Sequence, residues 1–149
     1  MQRISVGILY EDKPLGISSL NELQQGNQTR VRFTSNVEGP YPANIEDCPI
    51  EVLLVCLGAD HHFQLSRIEQ MKLIFDYPEV MLVAPNSGDH FLLQALSNGV
   101  SSFVATPGNV LEFNKAIEIT AMGGTYLSPK ISNSFEFKPS SESIWRPLK

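Results

Sequence analysis

Short apolar runs and helix-spaced apolar positions alternate along this chain. Ile4 to Tyr10 is a compact apolar run that predicts a buried first strand. Pro14 suits the first turn of a helix, Leu15, Ile17, Leu20 and Leu23 follow at roughly helical spacing, and Gly26-Asn27 ends it. Arg30 to Thr34 alternates polar and apolar, as an edge strand does. Ile50 to Leu57, which holds the apolar run Val52 to Leu57, predicts the central strand. Gln64 to Phe75 predicts a helix with Leu65, Ile68, Met71, Ile74 and Phe75 on one side. Val80 to Ala84 predicts a fourth strand, Asp89 to Asn98 a helix stopped by Gly99, and Ser102 to Ala105 a fifth strand. Val110 to Met122 closes the series as a helix, with Phe113, Ala116, Ile117 and Thr120 on one face and Gly123-Gly124 after it.

Strands alternating with helices predict an α/β domain with a parallel sheet. Five strands fit the flavodoxin-like, doubly wound fold with order 2-1-3-4-5. Right-handed crossovers gather the carboxyl ends of the strands on one edge, which brings Glu11, Asp12, Cys56, Val83 and Thr106 together. Residues 36–49 break the rhythm. Gly39, Pro40, Pro42 and Pro49 leave room for one helical turn near Asn44 to Asp47, so the second helix is expected to be short or missing. From Ser132 the chain turns polar, so residues 132–149 are read as a linker or tail.

The chain has 149 residues, enough for one domain with one core. Sixteen acidic residues against eleven basic ones give a net charge of −5, which opposes direct binding of nucleic acid by this segment. No apolar stretch reaches the roughly 20 residues of a membrane span. Met1-Gln2-Arg3 runs straight into the first strand, without the pattern of a signal peptide. Cys48 and Cys56 make no disulfide framework, and a reducing, cytoplasmic setting is expected.

Two motifs carry a family resemblance. Gln94-Ala95-Leu96-Ser97-Asn98-Gly99-Val100-Ser101-Ser102-Phe103 and Gly123-Gly124-Thr125-Tyr126-Leu127-Ser128-Pro129 resemble the receiver domain of LuxR-type (NarL/FixJ) response regulators. Glu11-Asp12-Lys13-Pro14-Leu15 supports the match at the other end, and the likeness spans residues 3–131, weakest between Ser35 and Pro49. It implies a receiver-like domain over residues 1–131. It also implies a helix-turn-helix domain beyond the linker, which this sequence does not contain. DNA is therefore expected as a partner only through such a domain. Protein partners or a homodimer are expected for this one, and no membrane.

The resemblance also implies a site. Receivers of this family transfer a phosphoryl group to an aspartate at the end of the third strand. A Mg²⁺ on an acidic pair, a hydroxyl and a lysine stabilise the phosphoryl oxygens. The matching positions here are Cys56, Val83 and Thr106, with Glu11-Asp12 as the acidic pair. A thiol is a poor ligand for hard Mg²⁺, valine has no hydroxyl and threonine no charge. Three changes together predict a pseudo-receiver, active in two-component signal transduction and transcription regulation without phosphorylation. Weak Mg²⁺ binding by Glu11 and Asp12 stands against two solvated acids beside a helix N-terminus. No other cofactor is expected.

Other readings remain open at this level. Cys56 is either a small buried hydrophobe or a redox- or ligand-sensing thiol in a pocket with Glu11 and Asp12. Asp60 would point away from the strand ends, and His61-His62 lack a matching ligand pair. Phe103 falls at the family's aromatic switch position, read as a half-buried edge aromatic or an interface residue. Phe91, Gln94, Phe103 and Phe113 are the candidate contact residues, on the helix from Asp89, the fifth strand and the helix from Val110. A pairing through the first and last helices is the alternative. Thr106-Pro107 retains the proline that follows a cis bond in the family. No Gly-rich phosphate loop, P-loop, Ser elbow or nucleophile–base pair occurs, so no enzyme is expected.

Overall fold

A computed structural model describes residues 3–11, 28–41, 49–58, 63–85, 88–106 and 109–129. Five parallel strands form one sheet, in the order β2-β1-β3-β4-β5. They are β1 (Ile4–Tyr10), β2 (Thr29–Asn36), β3 (Val52–Cys56), β4 (Glu79–Ala84) and β5 (Ser102–Ala105). Three helices lie among the described residues. We call them α1 (Ile68–Ile74), entered through a 3-10 turn at Leu65–Arg67, α2 (Asp89–Ser97) and α3 (Val110–Ala121). The predicted strand order and alternation are thus present. The first helix expected from Pro14 and the single turn near Asn44 to Asp47 lie outside the described residues. So does the tail from Ser132.

β3 is buried along its whole length, which is why its sequence is a continuous apolar run rather than an alternating one. Side chains alternate across the sheet and build two cores. One holds Leu9, Leu53, Val55, Leu82 and Phe103 under α1 and α2, through Ile68, Met71, Phe75, Leu92 and Ala95. The other holds Ile8, Leu54, Cys56, Met81, Val83 and Val104 under α3, through Phe113, Ala116 and Ile117.

The α1 region corrects the sequence reading in two ways. Its first turn is 3-10, and Ile74 is 44% exposed. Ile74 falls about 100° round the helix from Phe75, off the stripe made by Ile68, Met71 and Phe75. α2 ends where expected, with Gly99 at φ +98°, and a Cβ there would lie 3.0 Å from Lys72 Nζ.

β2 contains a bulge invisible in the alternation. Val6 pairs with Val31 and Gly7 with Phe33, which leaves Arg32 as an extra residue. The bulge sends Val31 to one core and Phe33 to the other. Phe33 then stacks on Phe75 at 5.4 Å and lies over Gly7, where a Cβ would sit 2.7 Å from its Cε2 atom. The cis peptide found is Gly39-Pro40. The bond expected to be cis, Thr106-Pro107, involves Pro107, outside the described residues.

Candidate functional site at the carboxyl edge of the sheet

The strand register places Tyr10, Cys56, Val83 and Val104 in one row across the sheet. Main-chain bonds knit the edge just beyond it. Glu11 N–H donates to the Cys56 carbonyl at 3.1 Å, and Leu57 N–H to the Val83 carbonyl at 2.8 Å. Thr106 N–H donates to the Ala84 carbonyl at 3.0 Å. Asn36 Nδ2 donates to the Glu11 carbonyl at 2.8 Å, which ties β2 to the same edge. These main-chain bonds set Glu11, Cys56, Val83 and Thr106 along one edge of the sheet. Asp12, the second member of the acidic pair, lies outside the described residues, as do Asp60, His61 and His62.

The chemistry of this edge is apolar where a phosphorylation site is polar. Cys56 is 6% exposed and packs in the core with Val83 and Val104. Burial pushes its thiol up to about 12, so it is neutral at physiological pH. Val83 is fully buried and Thr106 half-buried. Among the described residues, no group of three or more His, Cys, Asp or Glu side chains could hold a metal ion. Among the described residues the edge offers one carboxylate, Glu11, beside a neutral thiol and a valine, and Mg²⁺ favours an octahedron of oxygens.

The expected contact residues divide. Gln94 is exposed and Phe91 half-buried on α2. Phe103 and Phe113 are each 1% exposed, so they belong to the two cores and not to a surface. Phe91 meets Phe103 edge-on, with centroids 6.0 Å apart.

Phe103 is buried because β5 is not a bare edge. The stretch Tyr126–Ser128 runs parallel beside it, with a bridge between Phe103 and Leu127. Phe103 N–H donates to the Tyr126 carbonyl at 2.8 Å, and Ser128 N–H donates to the Phe103 carbonyl at 3.1 Å. Ala105 N–H donates to Ser128 Oγ at 2.8 Å. Glu112, in the first turn of α3, accepts from the Tyr126 and Ser128 hydroxyls, both at 2.8 Å. Burial and the Glu112 carboxylate together raise the Tyr126 phenol to about 12.

A second set of hydroxyls lies beneath this strap. Tyr126 N–H donates to Ser102 Oγ at 2.8 Å, and Thr120 Oγ1 lies 2.7 Å from Ser102 Oγ and 2.6 Å from the Ala116 carbonyl. One proton per hydroxyl satisfies all three contacts if Ser102 donates to Thr120 and Thr120 to Ala116. Sequence reasoning missed Glu112, Tyr126 and Ser128 as a unit. Their motif was visible, but the carboxylate that gathers the two hydroxyls is 14 and 16 residues away.

No family model matches the chain, and no curated protein matches it by sequence. Solved structures do match by shape. One is the isolated REC domain of RcsB from Salmonella enterica serovar Typhimurium, with the phosphomimetic BeF3-. Its TM-score is 0.70 at 18% identity, over 89% of this chain and 98% of that one. RcsB in a structure of two dimers bound to two parallel DNAs gives a TM-score of 0.71 at 17% identity, over 93% of this chain and 72% of that one. A LuxR family DNA-binding response regulator from Silicibacter pomeroyi gives 0.62 at 14% identity, over 85% of this chain and 98% of that one. At these identities the likeness speaks to the backbone. The chain has the flavodoxin-like fold that response-regulator receiver domains also have.

Proposed function

We propose that this chain is a receiver-like regulatory domain that works by protein contact, without accepting a phosphoryl group. The observation that carries this reading is the row of Cys56 and Val83, with Thr106 beside it, at the carboxyl edge of the sheet. Aspartyl phosphorylation needs a carboxylate nucleophile, a hydroxyl and a cation at those places. Here they hold a buried neutral thiol, a methyl pair and an uncharged hydroxyl. The likeness to RcsB and to a LuxR family regulator supports a place in two-component transcription control. A domain that accepts no phosphoryl group needs another input to change state, such as a partner protein or a small ligand with different affinity for its conformations.

A sensor that reacts at Cys56 requires a thiolate, and burial holds the thiol protonated. The proposal is tested with acetyl phosphate, Mg²⁺ and intact-protein mass spectrometry. The natural chain is expected to gain no phosphoryl mass, and the triple variant C56D/V83T/T106K to gain one. Hydroxylamine-sensitive phosphorylation of the natural chain would refute the reading.

A further inference from the structure

Five large hydrophobic side chains are exposed among the described residues, and three of them, Leu73, Ile74 and Tyr77, fall within five residues at the end of α1. Leu73 is 64% and Tyr77 67% exposed. The helix stops there in a Schellman turn. Tyr77 N–H donates to the Lys72 carbonyl at 2.6 Å, and Asp76 N–H to the Leu73 carbonyl at 3.4 Å. The turn needs a left-handed residue after the cap, and Asp76 takes it at φ +62°, where glycine is usual. Tyr77 follows at φ +59°, a costly conformation for a bulky side chain. Burial of the ring does not offset that cost, because Tyr77 stays exposed.

The rim of this patch is acidic. Glu69 lies one turn before Leu73, Asp76 and Glu79 flank Tyr77, and Lys72 is the cation of the same stretch. An apolar patch with such a rim suits a segment that carries apolar anchors and positive charge. The sequence holds one at Ile144-Trp145-Arg146-Pro147-Leu148-Lys149, with two cations and no acid in a chain of net charge −5. That segment lies outside the described residues. Phe103 pairs with both Leu82 and Leu127, which sets Pro129 level with Ala84. Tyr77 comes seven residues before Ala84, so it and Pro129 are about 23 Å apart along the strands and about 10 Å apart across them. The fifteen residue steps from Pro129 to Ile144 extend to about 50 Å, twice the resulting gap of about 25 Å. Phe135, the first apolar residue of the other candidate pair with Phe137, is six steps away, about 20 Å at full extension, and that pair encloses Glu136.

We propose that residues 144–149 dock, within the same chain, on the patch of Leu73, Ile74 and Tyr77. Trp145 and Leu148 lie on the apolar side chains, and Arg146 and Lys149 meet the carboxylates of the rim. Docked, the tail covers this patch and withholds it from other chains. A tethered segment meets its site at a millimolar effective concentration, so even a contact of about millimolar strength is formed about half the time. The contact goes beyond the reading of the chain as a domain that takes no phosphoryl group. It does not involve Cys56, and a phosphorylation assay leaves it untouched.

Trp145 is the single tryptophan of the chain and reports the contact. In the 149-residue chain its emission is expected to lie to the blue of that in urea, with acrylamide quenching weaker by about twofold. L73S/Y77S on the patch and R146E/K149E on the tail are each expected to restore the emission and quenching of an exposed tryptophan. Leu73 and Tyr77 are exposed, and far-UV circular dichroism checks that the first pair keeps the fold. Nuclear Overhauser contacts from the Trp145 ring to the Leu73 and Ile74 methyl groups are expected in the natural chain, and they locate the contact without any substitution. A fully quenchable Trp145 in the natural chain overturns the proposal. So does protection that survives R146E/K149E or a folded L73S/Y77S. Protection that disappears on dilution assigns the patch to a second copy and overturns it too.

Discussion

At the scale of single residues, Cys56 and Gly7 carry the most specific consequences. The Cys56 thiol is raised by burial from an ordinary value near 9 to about 12, and the Tyr126 phenol from near 10 to about 12. Both groups are held in their neutral forms, so their contribution to stability is full below their unfolded values. It is lost as pH rises through that interval. The urea midpoint is expected to be insensitive to the Cys56 thiol between pH 6 and about 8, and to fall between about pH 9 and 12. In a Cys48→Ser background, Ellman's reagent is expected to react with Cys56 only at the rate of unfolding. Rapid reaction with the native protein at pH 8 would contradict the buried placement. Gly7 leaves the space that the Phe33 ring fills. Gly7→Ala is expected to cost about 1–3 kcal/mol by overpacking, and Phe33→Leu in the same chain to return part of it. Denaturant titration of the two variants and their combination measures this. The sequence showed the alternation Arg30-Val31-Arg32-Phe33, but not that an extra residue puts Val31 and Phe33 on opposite faces.

At the scale of elements, the strands were the most legible part. β1 and β5 occupy their predicted spans, because a strand buried on both faces reads as a short, nearly continuous apolar run whose ends are visible in the sequence. β2 extends past its predicted end at Thr34 because pairing with β1, not apolarity, decides where it stops. The strap at Tyr126–Ser128 was legible as a motif and not as a sheet edge. Its hold depends on Glu112, whose backbone N–H is capped by Asn109 Oδ1 at 2.9 Å while its carboxylate turns to the strap. A hydrogen bond to a charged group contributes about 1.5–3 kcal/mol, so Tyr126→Phe is expected to destabilise the domain by an amount near the lower end. Glu112→Gln, which disturbs both hydroxyls, is expected to cost more. Hydrogen exchange at Phe103 and Ala105 is expected to speed up in both variants, because those amides bond to the strap. Unchanged exchange there would contradict the strap's role in closing the β5 edge.

At the scale of the whole molecule, a flavodoxin-like sheet carries an apolar row at its carboxyl edge. The carboxyl edge of the sheet brings Glu11, Cys56, Val83 and Thr106 together, as the order of strands requires. What the sequence could not show is how dry that place is. Burial of the thiol follows from α3 lying over the row, and no local pattern encodes it. Among the described residues, no helix is long and apolar enough to cross a membrane. The carboxyl edge is proposed not to bind a phosphoryl group, and amide NMR during titration with beryllofluoride and Mg²⁺ tests this. No saturable shifts at Cys56, Val83 and Phe103 is the predicted result. Saturable shifts there that spread along β5 would show a pocket that still binds the phosphoryl mimic, and would contradict the account.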